Sequence, residues 1–141
     1  MKPKLLLFIA LLIYLSNHSI AQQQDSSKNK LIGTWVLAAF QYTLPDTVIS
    51  GNSKIFNSLK IFSSSHFVYI AKSLPNHAFN RAGGGRYQLN GDQLTEIMDF
   101  SSLNNMLGKS FQYKIKVEGD TYYHSGKIND ILVEEIWKKL E

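Results

Sequence analysis

From Leu31 onward the chain is a succession of short runs rich in β-branched and aromatic residues, each closed by a turn signal within about ten residues. No stretch sustains the three-to-four-residue apolar period of a long helix, so the backbone must be satisfied almost entirely by strand pairing. Eight strands are expected: Gly33 to Tyr42, Lys54 to Phe62, His66 to Lys72, Gly84 to Leu89, Asp92 to Phe100, Ser110 to Val117, Thr121 to Gly126 and Ile131 to Lys139. Hairpin-like linkers separate many of them, and Asn90-Gly91 is the strongest turn signal because both residues tolerate positive φ. Longer connections span Thr43 to Ser53, Ser73 to Gly83 and Ser101 to Lys109, and a short helix is expected around Leu103 to Leu107. Strands joined mainly by hairpins form an antiparallel meander, which loses its exposed edges most simply by closing. The expected fold is therefore all-β, a single antiparallel up-and-down barrel of about eight strands over residues 31–141.

The N-terminus reads differently. Lys2 and Lys4 precede an unbroken apolar run from Leu5 to Leu15, and Ser19-Ile20-Ala21 supplies small residues before Gln22. This is the pattern of a secretory signal peptide over residues 1–21. The apolar run is too short to be retained as a bilayer span, which takes roughly 20 residues. No cysteine follows it to carry a lipid anchor. Gln22 to Lys30 is polar and aperiodic, a flexible linker. The protein is accordingly expected outside the cytoplasm, secreted or periplasmic.

Charge and composition narrow the function. Of 15 Lys and Arg against 11 Asp and Glu, the cations beyond the leader are scattered among acids, unlike the one-sided basic face of a nucleic-acid binder. No nucleic-acid partner is expected. With no cysteine in the chain, disulfides, thiolate nucleophiles and Cys-bound zinc are excluded, and an apolar core must carry the stability.

Alternation defines the walls. Phe111, Tyr113, Ile115 and Val117 interleave with Gln112, Lys114 and Lys116, an inside-apolar, outside-polar strand. Across the Asn90-Gly91 turn the register places Tyr87 and Leu89 on one face with Leu94, Glu96 and Met98. Glu96 is the odd member. One of Glu134 and Glu135 must also face inward. A buried carboxylate needs a partner, for which Arg86, Lys138 and tyrosine hydroxyls are the obvious suppliers. An inward acid serves either as a polar anchor for a ligand or as part of a network that fixes register. His124 points inward only if the turn after Glu118 keeps Val117 and Tyr122 on one face. His66 and His77 read as solvated turn residues. No pair of histidines has a metal-ligand spacing, Gly83-Gly84-Gly85 lacks the lysine of a phosphate loop, and no serine sits in a nucleophile elbow. No metal, cofactor or catalytic set is expected, and the chain is not read as an enzyme.

Gly33-Thr34-Trp35, opening the first strand, matches the G-x-W signature of lipocalin-like barrels. With Gly85-Arg86-Tyr87-Gln88-Leu89, Leu94-Thr95-Glu96, Gly119 to Tyr123 and Glu135 to Lys139, it makes the chain resemble small secreted lipocalin-like (calycin-type) bacterial domains of unknown function. The resemblance implies a barrel holding a small apolar or amphipathic ligand. It places Trp35 at a closed end, near Trp137, with Lys138 or Lys139 across its ring where arginine is common. The candidate cavity residues are Tyr69, Tyr87, Glu96, Met98, Tyr113, Tyr122 and His124, and the barrel-end residues are Trp35, Trp137 and Lys138. The alternative is a cell-envelope interaction or structural module with a packed barrel, its protein partner unknown.

Overall fold

The computed structural model describes residues 29–74 and 76–140. The expected signal peptide lies outside them. Nine strands follow in order: β1 (Gly33–Thr43), β2 (Val48–Asn52), β3 (Phe56–Phe62), β4 (His66–Ser73), β5 (Phe79–Asn90), β6 (Gln93–Ser101), β7 (Ser110–Glu118), β8 (Thr121–Ile128) and β9 (Ile131–Lys139). All neighbours are antiparallel, and β1 pairs with β9 to close an eight-stranded barrel of β1 and β3 to β9. β1 is shared along its length. Gly33 to Val36 pair with β3, while Ala39 to Thr43 pair instead with the extra strand β2, which lies within the Thr43-to-Ser53 connection. The helix expected at Leu103 to Leu107 is a series of turns, held by bonds such as Met106 N–H to the Leu103 carbonyl. Among the described residues no helix is long and apolar enough to cross a membrane.

Three of the hairpins share one device. Asn90 pairs with Gln93, Glu118 with Thr121 and Ile128 with Ile131, leaving two-residue loops Gly91-Asp92, Gly119-Asp120 and Asn129-Asp130. The first residue of each has positive φ, between 55° and 62°, so a glycine or asparagine leads and an aspartate follows. The first loop therefore lies one residue later than Asn90-Gly91. Because that slip moves each pairing by two, the face assignment survives, and Tyr87 sits directly opposite Glu96. The second loop keeps Val117 opposite Tyr122, which turns His124 inward.

Two bulges reset the alternation. On β1 the pairing with β9 jumps from Leu37 to Ala39, so Trp35 and Leu37 face inward below the bulge and Tyr42 faces inward above it. On β6, Met98 pairs with Gly85 and Phe100 with Gly84, leaving Asp99 as the extra residue. A side chain at Gly85 would collide with the Ile97 carbonyl oxygen, which is why this bend takes glycine.

The core fills one end. Trp35, Phe62, Phe67, Tyr87 and Tyr122 pack mostly edge to face, with centroids 5.1 to 6.1 Å apart. Asn29 and Leu31 cap this floor. Asn29, assigned to the flexible linker from sequence, is buried, and its side-chain amide donates to the Tyr87 hydroxyl at 2.7 Å. The Trp35 indole N–H donates to the Leu31 carbonyl at 2.7 Å.

Candidate functional site

Above the aromatic floor the barrel is hollow. A cavity of about 290 Å³ runs from the floor to the loops at the far end, where Leu103, Asn105 and Met106 of the β6–β7 connection and Asn129 of the β8–β9 hairpin line its rim. That volume is at the lower end of small-molecule sites, which run from about 300 to 1,000 Å³.

Of the candidates read from sequence, Tyr69, Glu96, Met98, Tyr113 and His124 line this cavity together. Tyr87 and Tyr122 do not. Both face inward, but they lie in the floor: the Tyr87 hydroxyl donates to the Ser63 carbonyl at 2.6 Å, and Tyr122 is wedged between Trp35 and Phe62. Trp137, expected only at the barrel end, lines the cavity as well. Lys138 is not the cation over Trp35. It is exposed and bonds Thr121, whereas the ammonium of Lys139, directly paired with Trp35, lies 5.6 Å from the indole ring centre. His66 opens β4 and His77 lies in the β4–β5 connection, and both are exposed.

The cavity wall carries two carboxylates, one from β6 and one from β9. Glu96 (β6) is 3% exposed and accepts from the ammonium of Lys60 (β3), itself 4% exposed, at 2.7 Å. Lys60 also stands 5.5 to 5.6 Å from the ring centres of Phe67, Phe62 and Trp137, so the cation rests on the aromatic floor. Arg86, an expected partner, is on the outer surface and pairs with Asp99.

Glu135, not Glu134, is the inward acid of β9. It accepts from Tyr42 at 2.8 Å and the Trp137 indole at 3.0 Å, and lies 3.1 Å from His124 Nδ1. Burial alone would raise its pKa from 4.5, but His124, Lys60 and Tyr42 outweigh that and hold it at about 2. Tyr42, in turn, is pushed up by burial and by Glu135, so its hydroxyl remains a donor. Among the described residues, His124 Nε2 and the Tyr122 hydroxyl are buried without a hydrogen-bond partner. Tyr113 packs 3.9 Å from the imidazole, and burial beside Glu96 raises its hydroxyl pKa. Among the described residues no group of three or more His, Cys, Asp or Glu is arranged to hold a metal ion.

A depressed carboxylate has a pH signature. Glu135 contributes stability fully present above its unfolded value of 4.5 and lost as pH falls towards 2. Glu135→Gln is expected to remove on the order of 3 kcal/mol of acid-dependent unfolding free energy. Denaturant unfolding of both proteins across the acid limb checks this; identical slopes would sink it. The exposed Arg86–Asp99 pair, which also lowers an aspartate, is common to both.

Sequence reading missed Lys60, Arg81, Tyr42 and Phe56, all of which line the cavity. For Tyr42 the hidden signal is the β1 bulge. For Lys60 and Arg81, a cation in a strand is ordinarily solvent-facing, and only the strand register of the folded chain shows otherwise.

No protein family and no curated protein matches the sequence. Solved structures do match by shape, among them two from Bacteroides. One, a lipocalin-like protein from Bacteroides uniformis ATCC 8492, aligns over 78% of this chain and 98% of its own at 18% identity, with a TM-score of 0.50. The other, an uncharacterized protein from Bacteroides eggerthii DSM 20697, covers 77% of this chain and 98% of its own at 15% identity, with a TM-score of 0.49. The first likeness, with a closed eight-stranded antiparallel barrel and a buried G-x-W tryptophan at its floor, gives the chain a lipocalin-like fold.

Proposed function

We propose that the protein is a non-enzymatic binding protein that takes a small apolar or amphipathic molecule into the barrel. The observation that carries this is the cavity: about 290 Å³, lined largely by Leu, Met, Ile and aromatic side chains, with its few polar groups gathered from facing strands. Apolar walls supply affinity through burial and the few polar groups supply orientation. His124 Nε2, buried without a hydrogen-bond partner among the described residues, and the Glu135 carboxylate beside it supply polar atoms within that wall.

The test is mass spectrometry of small molecules released from the purified protein, together with titration of an environment-sensitive apolar dye. A stoichiometric ligand, or saturable dye binding near one per chain, is expected. A barrel that carries nothing and takes up no dye would sink the proposal.

A second reading, an envelope interaction module, is favoured by one observation. The outer surface of β3 to β6 exposes Val68 (53%), Ile70 (53%) and Phe100 (72%) together, with Ile61 and Leu107 at their sides. Exposed apolar clusters of this kind mark contact surfaces. Failure of every ligand test would leave this reading standing. In either case we propose export directed by Met1 to Ala21 and removal of that segment; the intact mass of the exported chain, expected to begin at Gln22, checks it.

A further inference from the structure

We infer that the outer face of β3 to β6 docks on an anionic phospholipid bilayer, its apolar rows entering the hydrocarbon boundary while lysines at its margin meet lipid phosphates. This names the partner of the exposed apolar face and does not depend on what the interior holds.

Register arranges the face in rows across the strands. Ile61, Val68, Gly84 and Phe100 are successive cross-strand partners, and Leu59, Ile70 and Ala82 form the next row. Together with Leu107 of the β6–β7 connection they line one continuous outer concavity. Gly84 keeps the centre of the first row low, because a Cβ there would meet the Phe67 carbonyl oxygen, so Val68 and Phe100 rise on either side of it.

This face offers a protein partner little to hydrogen-bond. The backbone of β4 and β5 is paired with a neighbouring strand on both sides, and the hydroxyls of Ser101 and Ser102 at its border already accept from the N–H groups of Leu103 and Ala82. Protein contacts carry about one hydrogen bond per 100 to 200 Å². Lipid chains require none.

Charge chooses between a bilayer and a second copy of the chain. Over the whole sequence cations and acids mingle, but from Thr47 to Gly91, which covers β2 to β5, there is no acid against Lys54, Lys60, Lys72, Arg81 and Arg86. Lys60 and Arg81 line the interior and Arg86 is held by Asp99. Lys54 and Lys72 are exposed, and among the described residues neither has a carboxylate within ion-pair distance. Lys72 shares the outer face of β4 with Ile70 and pairs with Phe79, itself 61% exposed, so cation and apolar ring are adjacent. Lys109, two residues beyond Leu107, adds a third exposed cation. Apart from Asp99, the exposed acids among the described residues lie in the two-residue hairpin loops, in the β1–β2 turn and on β7 and β9. Two copies packed face to face would bring lysines together with no acid to receive them. An anionic bilayer supplies the opposite charge, and apolar burial and lysine attraction then act on the same surface.

Co-sedimentation of the chain beginning at Gln22 with vesicles of phosphatidylcholine, or with vesicles containing about one-third phosphatidylglycerol, tests the inference. Wild type is expected to bind the anionic vesicles about tenfold or more tightly, a preference that falls as salt is raised. Val68→Thr combined with Phe100→Thr, both suited to a strand, should weaken binding to the anionic vesicles about tenfold or more. Lys72→Gln should weaken it about fivefold, while Lys127→Gln, the same change at an exposed position on β8, should alter it by less than about twofold. Melts check that each variant is folded, and Lys72→Gln decides if the apolar pair is not. No sedimentation, no preference for anionic vesicles, binding that survives loss of Val68 and Phe100, or equal losses in Lys72→Gln and Lys127→Gln overturns lipid docking. A concentration-dependent dimer in the absence of vesicles, abolished by the Val68 and Phe100 changes, would assign the face to a second copy and overturn it as well. Dye uptake into the barrel is read separately, so failure here leaves interior binding standing.

Discussion

Trp35→Ala is expected to lower the unfolding free energy by about 3 to 5 kcal/mol, the cost of truncating a large core aromatic. Trp35 is wholly inaccessible and meets Tyr122 edge-on with centroids 5.6 Å apart. Its indole also ties the strand to the Leu31 carbonyl at 2.7 Å, so truncation opens a cavity and strands a buried acceptor at once. Leu31, itself fully buried, is part of the plug that Asn29 anchors to Tyr87. Loss of the indole should therefore loosen the whole closed end. Trp35→Phe keeps most of the ring packing and forfeits the hydrogen bond, and should cost clearly less. Denaturant unfolding of the three proteins checks the order; a Trp35→Ala transition coincident with wild type would mean that the floor does not hold the barrel shut.

The position of Trp35 was legible from the G-x-W opening of β1, and the inner face of another wall from the period-two alternation along β7. Parity carried Glu96 and His124 to the interior, since an inward register survives any shift by an even number of residues. Bulges ended that legibility. Read without interruption, β1 would send Gln41 inward beside Trp35 and Leu37; the jump at Ala38 sends Tyr42 inward instead and leaves Gln41 outside, donating to Glu134. The same kind of jump beside Asp99 turns Phe100 onto the outer surface.

β3 conceals its inner face for a different reason. Ser58, Lys60 and Phe62 face the interior while Leu59 and Ile61 face out, the reverse of an ordinary wall. On β4, Phe67, Tyr69 and Ala71 face in, yet Val68 and Ile70 are exposed, so both faces are apolar and pattern alone cannot choose between them. What chooses is Glu96. An acid placed inward by its own strand requires a cation, and Lys60 lies within reach across the barrel. The carboxylate was visible in the sequence, but its partner lies 36 residues away on a non-adjacent strand. Arg86, much nearer in sequence, faces outward by strand parity with Tyr87 and pairs there with Asp99.

Breaking that buried pair from either side should be costly. Glu96→Gln leaves the Lys60 ammonium in an aromatic pocket facing a neutral amide, and Lys60→Met leaves a carboxylate unpaired; each is expected to lose about 3 to 5 kcal/mol of stability. Neither value measures the pair's net contribution, because most of it is the penalty of stranding one charge. The double variant Lys60→Met, Glu96→Leu removes both charges and fills similar volume with apolar groups. It should recover most of the loss, and such replacements can even exceed wild type by about 1 to 4 kcal/mol. Thermal and denaturant unfolding of the four proteins gives the coupling directly, since the residues touch and their effects will not add. This separates the two roles that an inward Glu96 can have. As a register-fixing network its partner is Lys60, and the double variant folds while keeping its affinity for an uncharged tail such as octanol. As a ligand anchor it would have to release Lys60 to receive a guest. In that case Glu96→Gln would leave the fold nearly intact and cut ligand affinity instead. The 2.7 Å contact, with both side chains only 5% exposed, favours the first outcome, and an unchanged melt for Glu96→Gln would reverse it.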